Sequence, residues 1–203
     1  MTFRWIRLGV LGLAGLALAG LSGCSTLSGG GAAPSIFDLD APTDFGGLKG
    51  KAAVQLLVPK PSVSDALASS RVAVRQGGAE IAYFPGVTWS DEVPSLIQTT
   101  LTRAFENSGA VKAVGRPGES LAIDDQVIVD VRAFELDVSQ APVGHVVLGV
   151  KLLDDRNGKV RATKVFDVSV PATTDAAKPA IAALNKASEE AVRQVVAWTV
   201  EVL

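Results

Sequence analysis

The sequence predicts a single α+β domain in which two main helices pack on a mixed, mostly antiparallel sheet. Three observations predict this class: several short runs of β-branched residues, two stretches whose apolar residues recur with the helical period, and an Asn-Gly turn between two alternating runs. A sheet with one apolar face needs helices to cover it, which favours the two-helix arrangement.

The first half of the predicted domain contains a strand, a helical turn and a hairpin. Residues 51–58 form a short apolar run that ends at a proline, as expected for a buried strand. A helical turn is predicted at residues 64–67. Residues 71–75 and 80–84 are rich in β-forming residues and flank Gly77-Gly78, which predicts a hairpin.

The segment after Trp89 predicts the first main helix. Ser90 is the expected N-cap, while Asp91 and Glu92 suit the positive end of the helix dipole. Gly109 is expected to end the helix. One face must lie on a core, because the following apolar positions keep the helical period: Val93, Leu96, Ile97, Leu101, Ala104 and Phe105.

The second half predicts strands at residues 111–114 and 126–138, followed by a hairpin. Asn157-Gly158 separates two alternating runs, 146–152 and 160–170, and this is a strong hairpin signal. One face of the long strand at 126–138 is expected to carry Val127, Val129, Val131 and Ala133.

A last helix is predicted near the C-terminus, with Thr174 or Asp175 as its cap. Val192 and Trp198 widen its predicted inner face. The main stripe of that face consists of Ile181, Leu184, Ser188, Ala191, Val195, Thr199 and Val202.

The start of the chain has the pattern of an export signal. Residues 1–7 carry two arginines and no acid, and residues 8–21 are uninterruptedly apolar. At about 14 residues this stretch is too short for an ordinary transmembrane helix, which needs roughly 20. Leu21-Ser22-Gly23-Cys24 matches the lipobox of bacterial lipoproteins. We therefore predict that residues 1–23 are a signal peptide and that Cys24 becomes an N-palmitoyl, S-diacylglycerol cysteine.

The chain after the predicted signal peptide divides into a tether and a domain. Residues 24–44 are predicted to form the lipidated N-terminus and the tether, of which 25–34 is Gly/Ser-rich, and residues 45–203 are predicted to form the domain.

The charge of the predicted mature chain is slightly negative. The leader holds two of the 19 basic residues and none of the 21 acidic ones, which leaves the mature chain with a formal charge of −4. With no basic stripe, nucleic-acid binding is disfavoured. Ser25, rather than Asp, after Cys24 favours the periplasmic face of the outer membrane.

Few residues could support catalysis. His145 is the single histidine, which argues against Ser/His and Cys/His arrangements and favours an exposed or hydrogen-bonded structural role. The pairs Asp124-Asp125 and Asp154-Asp155 are interpreted as solvated turn residues. We therefore expect no enzyme activity, no cofactor and no metal site.

Tyr83, Phe84 and Trp89 form the most distinctive cluster of the mature chain. Two interpretations stay open. The cluster packs internally, with Trp89 as an apolar clamp at the start of the helix. Alternatively, it belongs to a partner surface, since Trp and Tyr are enriched at interfaces.

Five segments follow the lipobox in a characteristic order. They are residues 37–42, Leu67 with 71–75, Tyr83-Phe84 with Trp89 and 107–109, residues 127–134, and 152–154 with Phe166. Taken in this order and together with the lipobox, they resemble those of the ABC-type transport auxiliary lipoproteins, a family that includes the outer-membrane lipoprotein of the paraquat-inducible operon. The sequence departs from the family pattern at Thr88, where Arg is frequent, and at Phe37, where Tyr is common.

The resemblance implies a non-enzymatic outer-membrane lipoprotein that docks or supports a transport system. That system consists of a mammalian-cell-entry (MCE) domain protein and an ABC permease and ATPase, which move lipids or other hydrophobic molecules across the periplasm. The resemblance also implies an α/β domain with a mixed sheet. Two alternatives remain: an envelope scaffold that binds peptidoglycan or a cell-wall synthase, and a lipid carrier, which requires a large apolar cavity. A homo-oligomer is compatible with the sequence but not required by it.

Overall fold

The structure, a computed structural model, describes residues 33–48 and 50–203. Within these residues nine strands and two helices form a mixed α+β domain, so the predicted fold class is confirmed. The elements, in chain order, are β1 (Ser35–Phe37), β2 (Ala52–Leu57), β3 (Ser62–Val63), β4 (Arg71–Gly77), β5 (Glu80–Trp89), α1 (Val93–Ser108), β6 (Val111–Gly115), β7 (Asp125–Asp137), β8 (Val143–Asp154), β9 (Lys159–Pro171) and α2 (Ala177–Val202).

The central strand is β7, which is paired on both edges. One edge carries β8 in a long antiparallel ladder, and β8 pairs in the same way with β9. The other edge is shared by β2, β3 and β4, which all run parallel to β7. Beyond these strands, β6 pairs with β2, β5 pairs with β4, and β1 pairs with β5. Both predicted hairpins are present, and shorter parallel pairings complete the sheet.

Helix α1 ends as predicted but begins differently. Gly109 takes a left-handed conformation, with φ of 57°, and ends the helix. The predicted cap, Ser90, is wrong: Glu92 is the N-cap residue and makes no side-chain capping bond. Ser90 instead follows the last residue of β5, where its N–H donates to the carbonyl oxygen of Phe37 (2.7 Å) and its hydroxyl donates to Asp38 (2.9 Å).

Helix α2 buries the predicted stripe. Its N-cap residue is Ala176, so the predicted cap at Thr174 or Asp175 is wrong. The Thr174 hydroxyl instead accepts a bond from the Ala176 N–H (3.3 Å), one turn before the helix. At the other end Trp198 is partly buried, and its ring meets Phe166 edge-on at 5.8 Å. The buried residues of the predicted stripe are Ile181, Leu184, Ser188, Ala191, Val195 and Thr199.

Both helices contribute to one apolar cluster with the inward side chains of the sheet. A bulge in β7 changes which residues reach that cluster. Val131 and Ala133 pair with consecutive residues of β8, so Arg132 is an extra residue in the ladder. Because side chains alternate along a strand, the bulge returns Phe134 to the core face. The predicted placement of Ala133 on the face of Val131 is therefore wrong.

Gly144 lies where α2 crosses β8. A Cβ at this position would lie 2.5 Å from backbone atoms of Ala183 and Leu184. We expect Gly144→Ala to push strand and helix apart and to lower the free energy of unfolding by about 1–3 kcal/mol. Thermal unfolding followed by circular dichroism should show a fall of roughly 2–4 °C per kcal/mol.

Gly149→Ala in the same strand is the matched control. The three atoms nearest to a Cβ there all belong to the guanidinium of Arg132, at 2.8–2.9 Å, and the end of a flexible side chain can move away. The loss of stability should stay within about 0.5 kcal/mol. An equal loss in both variants would show that the backbone contact with α2 has no special weight.

Candidate functional site

The segment that carries the predicted aromatic cluster is the second half of β5, and it is irregular. β5 pairs with β4 up to Tyr83 and again from Thr88, so residues 84–87 lie opposite a single residue of β4. Pro85 has no N–H to donate, and Gly86 has φ of 69°, as suits a strand that bulges. The bulge gives the three aromatic residues different surroundings.

Trp89 lies in the core. Only 2% of its surface is exposed, and its ring meets Phe134 edge-on at 5.6 Å. Its backbone N–H donates to the carbonyl oxygen of Ser70 (2.7 Å), which holds the end of β5 against the preceding turn. Trp89 therefore packs at the start of α1 and offers almost no surface to a partner.

Tyr83 and Phe84 are half-buried and make different contacts. The Tyr83 hydroxyl donates to the carbonyl oxygen of Ala66 (2.8 Å), and the Arg71 guanidinium lies 3.6 Å from the centre of its ring. Tyr83, Phe84 and Pro85 line one shallow groove. The structure therefore brings Tyr83 and Phe84 to one groove, whereas the buried Trp89 is not part of it.

The groove beside Phe84 is small. Its volume is about 230 Å³, and its apolar lining includes Val74, Leu136 and Val138, with Asp175 at one side. Pockets that bury a small-molecule ligand usually measure about 300–1,000 Å³. A second groove, of about 200 Å³, lies on the other face of the sheet between Asp130, Arg132 and Lys151. Neither groove favours the lipid-carrier hypothesis.

The two predicted acidic pairs meet at one end of the sheet, where Asp125 lies directly opposite Asp154. The interpretation of these pairs as solvated turn residues is wrong for these two members, which are only 0% and 7% exposed. Arg161 binds both of them: its Nε donates to Asp125 (2.5 Å) and its terminal nitrogen to Asp154 (2.8 Å). The hydrogen bond from Arg161 to Asp125 raises the pKa of the guanidinium.

A second buried ion pair lies near the other end of β7. Glu135 is 1% exposed and receives hydrogen bonds from Nε of Arg75 and from a terminal nitrogen at 3.1 Å. The same contact raises the pKa of the Arg75 guanidinium. Sequence reasoning missed this pair, because its members lie 60 residues apart and only the parallel pairing of β4 with β7 joins them.

His145 has the structural role expected for it: a hydrogen bond of 2.9 Å joins its Nε2 to Asp167 of the neighbouring strand. In the part of the chain that the structure describes, no His, Cys, Asp and Glu side chains form a group of three that could hold a metal ion. No helix within residues 33–48 and 50–203 is both long and apolar enough to cross a membrane. Cys24 lies outside the described residues.

Arg161→Met should leave Asp125 buried without a cation and leave Asp154 with only the exposed Arg156 guanidinium nearby. We expect the free energy of unfolding to fall by about 3 kcal/mol, since breaking a buried pair strands the remaining charge. Chemical denaturation at neutral pH, followed by tryptophan fluorescence, measures this loss.

Arg156→Met serves as the control for that variant. The Arg156 guanidinium also faces Asp154, but at 3.7 Å and with 69% of the side chain exposed. Exposed pairs contribute little, so the change should stay below about 1 kcal/mol. Comparable losses in both variants would contradict the special role assigned to Arg161.

Fold and site together define a two-layer α+β domain whose buried charges are structural and whose grooves are shallow. The chain belongs to the family of ABC-type transport auxiliary lipoprotein components, whose model matches residues 37–196. The resemblance noted in the sequence is thereby confirmed, and a lipoprotein family indicates a membrane-anchored protein of the cell envelope.

Comparison with individual proteins agrees with this family. The crystal structure of protein XCC0632 from Xanthomonas campestris is similar, with 28% identity and a TM-score of 0.78 over 83% of this chain and 95% of that one. The crystal structure of an uncharacterized protein, 15% identical with a TM-score of 0.62 over 81% of this chain and 97% of that one, shows the same fold.

One relative is longer than the chain. The uncharacterized protein bll6063 of Bradyrhizobium diazoefficiens is 26% identical over 182 residues, which are 89% of this chain and 49% of the relative. The chain thus spans about half the length of this curated relative.

Proposed function

We propose that the chain is an acylated lipoprotein, anchored through Cys24 at the periplasmic face of the outer membrane. There it docks a transport system made of an MCE-domain protein and an ABC permease and ATPase. It acts by binding these proteins and catalyses no reaction itself.

The observation that carries this proposal is the position of the family domain relative to the lipobox. The match to the transport auxiliary lipoproteins begins at residue 37, only 13 residues after Cys24. A single acyl chain binds a membrane weakly, whereas two or more anchor a protein stably. Triacylation of Cys24 would therefore keep the domain at the bilayer, where a transport complex can meet it.

The described domain suits a role in docking. Its buried carboxylates are bound to arginines, and its grooves are shallow. Such a body presents a fixed shape, and interfaces between rigid surfaces lose less conformational entropy on binding. Docking is thus better supported than transport of a lipid inside this domain.

Cys24→Ala tests the anchor. Intact-mass and peptide mass spectrometry of the native protein should show a mature N-terminus at Cys24 with diacylglycerol and an amide-linked acyl chain. We expect the variant to leave the membrane fraction, since the acyl chains supply the anchoring free energy at about 0.8 kcal/mol per buried methylene. Circular dichroism should show the same fold in both proteins. An unmodified Cys24, or a mature terminus elsewhere, would contradict the anchor.

Purification of the C-terminally tagged protein from native membranes tests the partner. After mild cross-linking, an MCE-domain protein and its permease should be recovered, and Cys24→Ala should recover much less of both. Co-sedimentation with purified sacculi tests the scaffold alternative. Enrichment on sacculi without any transport component would overturn the proposed docking role.

A further inference from the structure

The chain enters the domain near one end of the sheet. Ser35 pairs with Val87 of β5. Because β5 pairs with β4 and β4 pairs with β7, Ser35 lies at nearly the same height along the sheet as Phe134 of β7. Because β1 runs antiparallel to β7, the chain reaches Ser35 from the side of the Asp137 end of β7. That end is three residues from Phe134. The Asp125 end lies nine residues away, or about 30 Å at roughly 3.3 Å per residue.

The segment after β1 is fixed to both helices. Asp40 and Asn185 of α2 are joined by two hydrogen bonds of 2.9 and 2.6 Å. The carbonyl oxygen of Pro42 accepts a third bond, from Asn107 of α1 (3.0 Å). The connection between Cys24 and the fixed body is therefore limited to residues 25–34.

The length of this connection restricts how the domain can lie on a membrane. The 11 residue steps from Cys24 to Ser35 span at most about 40 Å, whatever their conformation. If the Asp125 end faced the bilayer, about 30 Å of that length would run back along the domain. A chain stretched so far loses most of its conformational freedom. With the Asp137 end toward the bilayer, little extension is needed.

The connecting segments at the two ends also differ in charge. At the Asp137 end, residues 78–79, 138–142 and 171–174 contain no charged side chain, and the nearest charges are the adjoining Glu80, Asp137 and Asp175. At the opposite end, residues 154–159 alone contain two aspartates, an arginine and a lysine. Moving a charged side chain out of water toward a lipid surface is costly, so connecting segments without charged side chains approach a bilayer more readily.

We propose, on the basis of the acylation of Cys24 suggested above, that the end formed by residues 78–79, 138–142 and 171–174 contacts the lipid bilayer. We call it the tether end. The distal end, formed by residues 116–124 and 154–159, points away from the membrane. The groove between Phe84 and Val138 then lies at the membrane side of the domain. The partner of this surface is the lipid headgroup region.

Single-cysteine labelling can test this orientation. Cys24 is the only cysteine of the sequence, and in the acylated protein its sulfur is a thioether, so an introduced cysteine is the single free thiol. Ala79→Cys probes the tether end and Arg156→Cys the distal end; both positions are exposed. Each acylated, full-length variant is labelled with a fluorophore and reconstituted into phosphatidylcholine vesicles that contain headgroup-spin-labelled lipid.

We expect the nitroxide to quench the label at residue 79 several-fold more strongly than the label at residue 156. Equal quenching, or stronger quenching at 156, would overturn the proposed orientation. A further variant with about 20 Gly/Ser residues inserted after Ala33 should lose the difference in quenching between positions 79 and 156. The lengthened connection to Cys24 would allow either end of the domain to face the bilayer. If the difference persisted there, the role assigned to the short connection would be wrong.

Failure of this orientation and failure of the anchor can be told apart. Mass spectrometry of the reconstituted samples reports acylation of Cys24 independently of fluorescence. Unacylated protein that does not bind the vesicles would contradict the proposed anchor, and with it the orientation. Acylated, vesicle-bound protein with equal quenching at both positions would contradict the orientation alone.

Discussion

The packing of α2 on β8 is the contact on which the rest of the domain depends. Gly144 lets the helix backbone approach the strand more closely than any side chain would allow. β8 lies between β7 and β9 in two long antiparallel ladders, so a helix fixed on β8 orients three strands at once. The other edge of β7 pairs with β2, β3 and β4. Of the remaining strands, β6 pairs with β2, β5 with β4, and β1 with β5.

Local pattern was sufficient for the parts of the fold that local interactions determine. The helical period located α1 and α2, Gly109 marked the end of α1, and Asn157-Gly158 marked the turn between β8 and β9. The parallel pairings along β7 left no such signal, because their register depends on contacts between distant residues. The cap at Ser90 failed for the same reason: β1 pairs with β5, and Phe37 and Asp38 bind Ser90 at the end of β5.

The candidate residues show the same limit. The aromatic spacing of Tyr83, Phe84 and Trp89 suggested one cluster, but only Tyr83 and Phe84 share a groove, and Trp89, beyond the bulge, lies in the core. Asp125 and Asp154 are of a residue type that is frequent in turns. Residue type alone could not show that the strand ladders place both side chains beside Arg161. A hairpin register predicts which residues of β8 and β9 face each other; it does not predict the extra residue that a bulge inserts.

The two buried ion pairs fix the register on both edges of β7. Arg75 binds Glu135 on the edge shared with β4, and Arg161 binds Asp125 across β8 on the other. Buried ion pairs add little net stability compared with apolar packing, but a slip by one residue would leave a buried carboxylate without its arginine. It would also turn the core side chains of the strand to the wrong face. The pairs therefore favour a single register of β7 against β4 on one edge and, through β8, against β9 on the other.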